Sequence, residues 1–283
     1  MSRRTGVATT TTLLFLPPQI NRQGTPSFLL AILLCSRLVC EWRAKVFRHS
    51  VHAHRKNNQS GKKIGEDALS SFATFSIVAR CPKTFSLGMC TSSAASAVGS
   101  RVPHVEVNVG AIATQANTRT LYGTNGLKLL KKGVSPEVAL KNMLKEDPDR
   151  ETRQVIIIDG QGRTAAFTGK HTINWKGHLI GKDYVVAGNM LVGNKVIEAM
   201  AQTFENSRGV LAERLIKALA AGQESGGDRR GKTSAALLVA GRNQKEILPL
   251  IDLKVDDHPA PVDQLRRIFE DFRRKRFDNN QLS

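Results

Sequence analysis

The order of short apolar runs and longer periodic segments constrains the fold of this chain more than any other feature. Apolar, β-branched runs come in pairs around short turns, as at residues 153–158 and 163–168, a pattern typical of antiparallel hairpins. Segments with helical periodicity also come in pairs, namely 123–131 with 135–146 and 195–204 with 210–223. Hairpins followed by helix pairs, without strict alternation of strands and helices, predict an α+β fold in which helices cover antiparallel sheets.

The first strand in this order begins at Thr74, where the character of the chain changes. Residues 73–80 read ATFSIVAR, an apolar and β-branched run typical of a buried strand. Residues 1–72 lack apolar periodicity and contain no acidic residue before Glu41. We therefore predict a domain over residues 73–283 and an extension over residues 1–72 that takes no part in its fold.

The composition of residues 1–72 is compatible with three origins. An organelle transit peptide has this basic, acid-poor balance, and a signal anchor fits it less well. A start codon assigned too far upstream would give the same result. The location is therefore organellar if the segment is a transit peptide, and the cytoplasm is the alternative. The apolar patch at 28–40 is interrupted by Arg37 and is too short for a stable membrane span.

Charge and cysteine content narrow the classes of partner. The net charge of +18 is compatible with nucleic-acid binding, but only 5% of the residues are aromatic, and no zinc-finger or RNA-binding signature is present. We therefore expect no nucleic-acid partner. The four cysteines lack metal-ligand spacing, so we predict neither a metal site nor a cofactor.

Several polar residues stand at the ends of predicted strands, where functional groups often lie. Thr74 opens the first strand, and Thr114 and Gln115 end a strand predicted over residues 105–116. Asn189 follows Gly188 at the end of another strand. Its amide is of the kind that donates to an oxyanion, although Gly-Asn is also an ordinary turn sequence.

The loop at 226–231 reads GGDRRG and offers a second group of candidates. Its glycines permit close approach of the backbone to a ligand. Asp228, Arg229 and Arg230 could hold a substrate carboxylate. A solvent-exposed loop with an internal ion pair is the alternative interpretation.

Several strings, taken together, are similar to a known family. They are TFSIVAR, GAIATQA, AAFTG, GNML, GGDRRG followed by SAALLV, and VDDHP. In this order and spacing they resemble domain of unknown function 1028, from Thr74 to about Phe272. That resemblance implies the fold of the N-terminal nucleophile (Ntn) hydrolases, a four-layer αββα sandwich of two antiparallel sheets between helices.

The resemblance also implies an activity, the cleavage of a small amide or peptide-like bond. In Ntn hydrolases the residue that heads the first strand attacks the carbonyl, and its own α-amine accepts the proton. Thr74 is the matching position. In this interpretation Asn189 assists catalysis, while Thr114, Gln115, Asp228, Arg229 and Arg230 contact the substrate. We also expect a homo-oligomer and no cofactor.

The sequence departs from the family pattern at the residue that matters most. Thr74 is preceded by 73 residues, so its nitrogen is an amide and cannot act as a base. Cleavage after Ala73 would liberate the amine; otherwise the true start lies elsewhere or the chain is inactive. The alternative function is therefore a non-catalytic Ntn-fold protein that serves ligand binding or assembly.

Overall fold

A computed structural model of the chain describes residues 74–241 and 251–279. These residues form an α+β structure with ten strands and five α-helices. The strands are β1 (Thr74–Arg80), β2 (Leu87–Ser93), β3 (Pro103–Glu106), β4 (Gly110–Ala116), β5 (Arg153–Asp159), β6 (Thr164–Thr168), β7 (Gly177–Gly181), β8 (Tyr184–Asn189), β9 (Ser234–Ala240) and β10 (Ile251–Val255). The helices are α1 (Leu121–Lys131), α2 (Pro136–Lys145), α3 (Lys195–Asn206), α4 (Leu211–Glu224) and α5 (Pro261–Asn279).

The strands form two antiparallel sheets. The larger has the order β10-β9-β2-β1-β8-β7, and the smaller has the order β3-β4-β5-β6. Strand β1 lies between β2 and β8, so its first residue, Thr74, pairs with Ser93 on one side and Asn189 on the other. Because both neighbours run antiparallel to β1, their carboxyl ends flank its amino end.

Three apolar clusters follow from the alternation of side chains along the strands. One contains Phe75 and Ile77 of β1 together with apolar residues of α3, α4 and α5. The second joins Val78 of β1 to Ile156 of β5 and so contains residues of both sheets. The third joins the other face of the smaller sheet, including Ile157, to α1 and α2. Each sheet therefore buries both of its faces.

The predicted hairpins and helix pairs are confirmed, with differences at their boundaries. Ser135 caps α2, because its hydroxyl oxygen accepts a hydrogen bond from the Val138 N–H at 3.4 Å; Ser followed by Pro and Glu is a typical sequence for the start of a helix. The single strand predicted over 105–116 was wrong. The structure has two strands there, β3 and β4, joined by a turn in which Asn108 adopts φ +62°. A left-handed Asn is a common way to close a hairpin, and the alternation of VEVNV conceals it.

Two predictions fall partly or wholly outside the described residues. The extension over residues 1–72 lies outside them. The apolar run at 247–255 also predicts a strand, and of this run Ile251–Val255 is described. Within the described residues, no helix is both long and apolar enough to cross a membrane.

Candidate functional site

A group of polar side chains lies between the two sheets, at the end of this layer where β1 begins. Val78 faces the other sheet, so Thr74 and Ser76 face it too, since side chains alternate along a strand. We call this group the polar end, and we call the cluster that contains Val78 and Ile156 the apolar end. The polar end consists of Thr74, Ser76, Thr91, Gln115, Gln154, Thr168, His178 and Asn189.

Gln115 reaches from the smaller sheet to β1. Its side-chain oxygen accepts a hydrogen bond from the Ser76 hydroxyl at 2.6 Å, and Ser76 in turn lies 2.8 Å from the Thr91 hydroxyl. The amide nitrogen of Gln115 donates to the Thr74 carbonyl oxygen at 3.3 Å. Both ends of this buried amide are therefore satisfied, and Gln115 connects the two sheets at the first residue of β1.

Asn189 approaches the same carbonyl oxygen from within the larger sheet. Its Nδ2 lies 3.5 Å from the Thr74 carbonyl oxygen and donates to Gln154 Oε1 at 3.0 Å. Two amide nitrogens, those of Gln115 and Asn189, thus converge on the main chain of Thr74. The Asn189 bond is at the long limit for a hydrogen bond, so it is the one that an incoming oxygen would most easily replace.

Gln154 was not predicted as a site residue, yet it lies at the centre of the polar end. Its side chain is fully buried. It contacts Gln115, Asn189 and Thr168 within hydrogen-bond distance. The sequence signal was weak because Gln154 precedes the apolar run of β5, which reads as an ordinary buried strand. The one sequence feature that could have identified Gln154 as a site residue is its place as a polar residue on the same strand face as Ile156 and Ile158.

Two residues next to the polar end have left-handed backbones without being glycine. Ala116 has φ +66° and directly follows Gln115, and Met190 has φ +52° and directly follows Asn189. Such a conformation costs about 1–2 kcal/mol for a residue with a Cβ atom. Both strands that supply amide groups to Thr74 therefore end in a strained turn, a feature that is enriched at functional sites.

Thr114 does not join this group. It lies on the same face of β4 as Ile112, which packs against α1 and α2, whereas Gln115 faces the other sheet. The Thr114 hydroxyl donates to the Arg119 carbonyl oxygen at 3.1 Å. Adjacent residues in a strand point to opposite faces, so the two neighbours predicted as one substrate-binding pair are separated by the sheet itself.

The loop at 226–231 ties together the strand ends that flank Thr74. On the β8 side, the Val192 N–H donates to the Gly227 carbonyl oxygen at 3.2 Å, and the Arg229 N–H donates to the Met190 carbonyl oxygen at 3.0 Å. On the β2 side, the Ala94 N–H donates to Asp228 Oδ2 at 2.9 Å. The loop thereby bridges the carboxyl ends of β8 and β2.

Peptide geometry places the Asp228 carboxylate on the β1 side of β2. The Ser93 carbonyl oxygen accepts from the Thr233 N–H, towards β9. In a trans peptide the N–H of the next residue points away from the carbonyl oxygen. The Ala94 N–H therefore points towards β1, and it donates its hydrogen bond to Asp228. Since Ser93 pairs with Thr74, the carboxylate lies just beyond the amino end of β1.

The internal contacts of Asp228 leave it little capacity for a ligand. Arg230 contacts both carboxylate oxygens, at 3.2 Å through Nε and 3.0 Å through Nη2, and its main-chain N–H also donates at 2.9 Å. With the Ala94 bond, four donors fill the four acceptor positions of a carboxylate. The structure thus gives Asp228 a part in the loop itself, while Arg229 and Arg230 are exposed.

A cluster of charged side chains lies on the face of the smaller sheet that packs against α1 and α2, opposite to the face that carries the polar end. The Asp147 side chain is 1% exposed and pairs with Arg153 at 2.9 Å and with Arg119 at 3.1 Å. Burial acts to raise the pKa of Asp147, but hydrogen bonds from Arg153, Tyr122 and the Asp149 N–H together lower it to about 2. This cluster faces α1 and α2 and is separate from the polar end.

Within the part of the chain that the structure describes, no group of three or more His, Cys, Asp or Glu residues is arranged to hold a metal ion. The polar end consists mainly of amides and hydroxyls, and its one ionisable side chain is His178. These groups are suited to donating and accepting hydrogen bonds around Thr74.

Comparison with known proteins identifies relatives of this chain. The family of unknown function DUF1028 matches residues 74–265. A crystal structure of a protein from Silicibacter pomeroyi, assigned to the same family, aligns with a TM-score of 0.65 and 32% identity. The alignment covers 70% of this chain and 88% of that one. No curated protein matches the chain.

A second solved structure shows a much weaker likeness. It is Anbu, an ancestral beta-subunit from Yersinia bercovieri, with a TM-score of 0.34 and 10% identity over 72% of this chain and 96% of that one. This likeness is too weak to bear on the fold. The family match begins at Thr74 and covers more than half of the chain; the protein therefore belongs to the DUF1028 family.

Proposed function

We propose that this protein is an Ntn-type amidohydrolase that uses Thr74 as its nucleophile on a small amide or peptide-like bond. One observation carries the proposal. Thr74 is the first residue of a central strand, and amide nitrogens from both sheets, on Gln115 and Asn189, converge on its main chain. A hydroxyl at a strand end surrounded by preorganised donors suits the formation of an oxyanion nearby.

The proposed fold is the four-layer αββα sandwich of the Ntn hydrolases. It is supported by the three apolar clusters, which join helices to the larger sheet, the two sheets to each other, and helices to the smaller sheet. In this arrangement the polar end occupies one edge of the layer between the sheets, and Thr74 lies there at the amino end of β1.

The proposed reaction proceeds through an ester on Thr74. The hydroxyl oxygen attacks the substrate carbonyl while the free α-amine of Thr74 takes the hydroxyl proton and passes it to the departing amine. Water then hydrolyses the ester, which releases a carboxylic acid and restores the hydroxyl. An α-amine has a pKa near 8, so a useful fraction is unprotonated at neutral pH.

Other residues have distinct proposed roles. Asn189 stabilises the oxyanion by exchanging its long contact to the Thr74 carbonyl oxygen for one to the substrate. Gln115 orients Thr74, and Asp228 holds the flanking loop. Arg229 offers a cationic group at the exposed side of that loop for an anionic part of the substrate, and Arg230 contributes its charge to the same side while it keeps its ion pair with Asp228. Assembly into a homo-oligomer is a further proposal.

A second function is favoured by a specific observation. Thr74 is fully buried, and its nitrogen is part of a peptide bond in the full chain. Both features suit a non-catalytic member of the family that keeps the fold for ligand binding or assembly. The two functions differ in whether Thr74 becomes an exposed, amino-terminal residue.

Covalent labelling distinguishes them. A chain that begins at Thr74, obtained by removing an amino-terminal fusion partner, is incubated with a β-lactone probe, and the adduct is located by mass spectrometry. The structural alignment covers 88% of the Silicibacter pomeroyi protein and the family match begins at Thr74, which supports folding of such a chain, and circular dichroism checks it. We expect an adduct on Thr74 that the full chain does not form. A folded, unlabelled chain would favour the binding function.

A further inference from the structure

Gln154 has an orientation that its surroundings determine. Its amide nitrogen lies 3.0 Å from the Gly177 carbonyl oxygen, 2.9 Å from the Gly188 carbonyl oxygen and 2.9 Å from the Thr168 hydroxyl oxygen. A flipped amide would place its oxygen against two carbonyl oxygens, which repel it. The nitrogen of Gln154 therefore faces the larger sheet's backbone, and its oxygen faces the opposite way.

That oxygen in turn orients the two amides that reach Thr74. It accepts from Gln115 Nε2 at 2.7 Å and from Asn189 Nδ2 at 3.0 Å. Each of these nitrogens has its other hydrogen available for the Thr74 carbonyl oxygen. The direction of both amides around Thr74 thus depends on Gln154, which itself has no described contact with Thr74.

The chain of hydrogen bonds continues outward to His178. The Thr168 hydroxyl oxygen lies 2.9 Å from His178 Nδ1 and 2.9 Å from Gln154 Nε2, whose two hydrogens it shares with the Gly177 and Gly188 carbonyl oxygens. A hydroxyl has one hydrogen, and that hydrogen has an acceptor in Nδ1 when the imidazole is neutral and protonated at Nε2. A proton on Nδ1 would reverse this bond and leave the Thr168 hydrogen without an acceptor in the network.

The surroundings of His178 contain few competing charges. Strand β6 supplies no ionisable side chain, and the one on β8, Tyr184, lies on the other face. Lys176 Nζ in the preceding loop is bound to backbone carbonyl oxygens. Helix α3 packs against the face of β8 opposite to His178, and its ionisable residues are Lys195, Glu198 and Glu205.

We propose that Gln154 is the positioning residue of the site, and that neutral His178 supports the orientation set by the two carbonyl oxygens, because it accepts the Thr168 hydrogen and so leaves a Thr168 lone pair facing Gln154 Nε2. Burial also lowers the pKa of His178 below its usual value, which keeps the imidazole neutral at pH 7. This inference rests on the proposed function for its rate measurement only, because the hydrogen-bond arrangement is measured separately.

The arrangement is tested by NMR on the full chain. Two-bond ¹H–¹⁵N correlation spectra of the histidine rings identify the tautomer of His178 at pH 8, and the side-chain amide signals of Asn189 and Gln115 report on their bonding. We expect the Nε2–H tautomer and amide signals that shift together with the imidazole as the pH is lowered. An Nδ1–H tautomer at pH 8 would overturn the proposal.

The positioning role is tested by the labelling rate of the chain that begins at Thr74. Gln154→Met keeps the length of the side chain but has no amide, and we expect the rate to fall about 10- to 100-fold, as expected for misplaced reacting groups. Thr168→Val is a milder second variant in case Gln154→Met does not fold. Unchanged rates in a folded variant would contradict the role.

The pH profile separates positioning from mere packing. His178→Asn keeps an acceptor near the place of Nδ1 but cannot titrate, whereas His178→Phe has no acceptor. We expect the wild-type rate to fall more steeply at acidic pH than the amine alone explains, and this extra fall to disappear in His178→Asn at a nearly unchanged rate at pH 8. His178→Phe should be slow at every pH.

The exposed His171 provides the matched control, since His171→Asn should leave the profile unchanged. If His178→Asn reproduces the wild-type profile, the proposal fails. If the NMR results agree but no variant or wild-type chain is labelled, the proposed hydrolase function fails while the hydrogen-bond arrangement stands. If Thr74 is labelled but His178 has the Nδ1–H tautomer, the hydrolase function stands and the inference about Gln154 and His178 fails.

Discussion

The apolar end and the polar end of the layer between the sheets are built by the same strands but are organised differently. At the apolar end, Val78, Ile156 and Ile158 fill space without directional bonds. Two residues along the same strands, Ser76 and Gln154 are connected by amides with defined orientation. The first arrangement tolerates volume-conserving substitution, whereas the second depends on each donor meeting its acceptor.

This difference indicates where stability and function lie. Burial of aliphatic side chains is the main source of folding free energy, so the apolar end should control unfolding. A fully satisfied polar network adds little net stability but fixes atoms in place. Substitutions at the apolar end should therefore have their main effect on the free energy of unfolding, and substitutions of the amide side chains at the polar end should have theirs on reactivity at Thr74.

The largest effect is expected at Thr74 itself. Thr74→Ala in the chain that begins at this position removes the attacking oxygen, so labelling by the β-lactone probe should fall by about 1,000-fold or more. Thr74→Ser should retain labelling because the hydroxyl remains. Thr114→Val is the matched control, since Thr114 lies on the other face of β4. Equal labelling of Thr74→Ala and wild type would show that another residue reacts.

The apolar end should respond in stability instead. Ile156→Ala leaves a cavity at a fully buried position, and we expect the free energy of unfolding to fall by about 2–5 kcal/mol in chemical denaturation. The labelling rate of the folded fraction should stay close to that of the wild type. A large loss of labelling with intact stability would remove the proposed division between the two ends.

Acid sensitivity should come from the charged cluster on the far face of the smaller sheet. The pKa of Asp147 is lowered from 3.8 to about 2, so its stabilising contribution is complete above about pH 4 and disappears as the pH falls towards 2. The lowered pKa corresponds to about 2 kcal/mol in the free energy of unfolding. Urea unfolding at each pH measures it. Asp147→Asn should remove this loss of stability at low pH, while Asp252→Asn, at an exposed site, should leave it unchanged.

The smallest effect is expected from one hydroxyl of the polar end. Ser76→Ala removes the donor to Gln115 Oε1 and should lower the free energy of unfolding by about 1–2 kcal/mol. The labelling rate should fall only slightly, since Gln154 still orients Gln115 and Asn189. Thermal unfolding and the labelling assay together check this, and a rate as low as that of Gln154→Met would mean that orientation comes from Ser76.

Local patterns predicted most of the fold. The apolar run at 153–158 forms β5, and α2 begins after Ser135, which caps it. The paired helices lie in the segments that their periodicity indicated. Strand β7 was missed because GHLIG is short, contains two glycines and exposes Leu179 and Ile180. Such an edge strand buries too little apolar surface to leave a clear pattern.

The candidate site was less predictable because it depends on contacts between distant segments. Thr74, Asn189 and Gln115 were identified at strand ends, and the structure brings them together. The placement of Thr114 on the opposite face followed from simple alternation and could have been foreseen. Gln154 and Thr168 could not, since their roles come from the register of β5 against β6 and from the packing of one sheet on the other.

The central claim is that Thr74 becomes an amino-terminal nucleophile, and the amino terminus of the mature protein tests it most directly. The protein is isolated from its own cells, and its intact mass and amino-terminal sequence are determined. We predict a chain whose first residue is Thr74, with a free α-amine. A mature chain that retains even one residue before Thr74 would contradict the mechanism and leave the binding function as the better account.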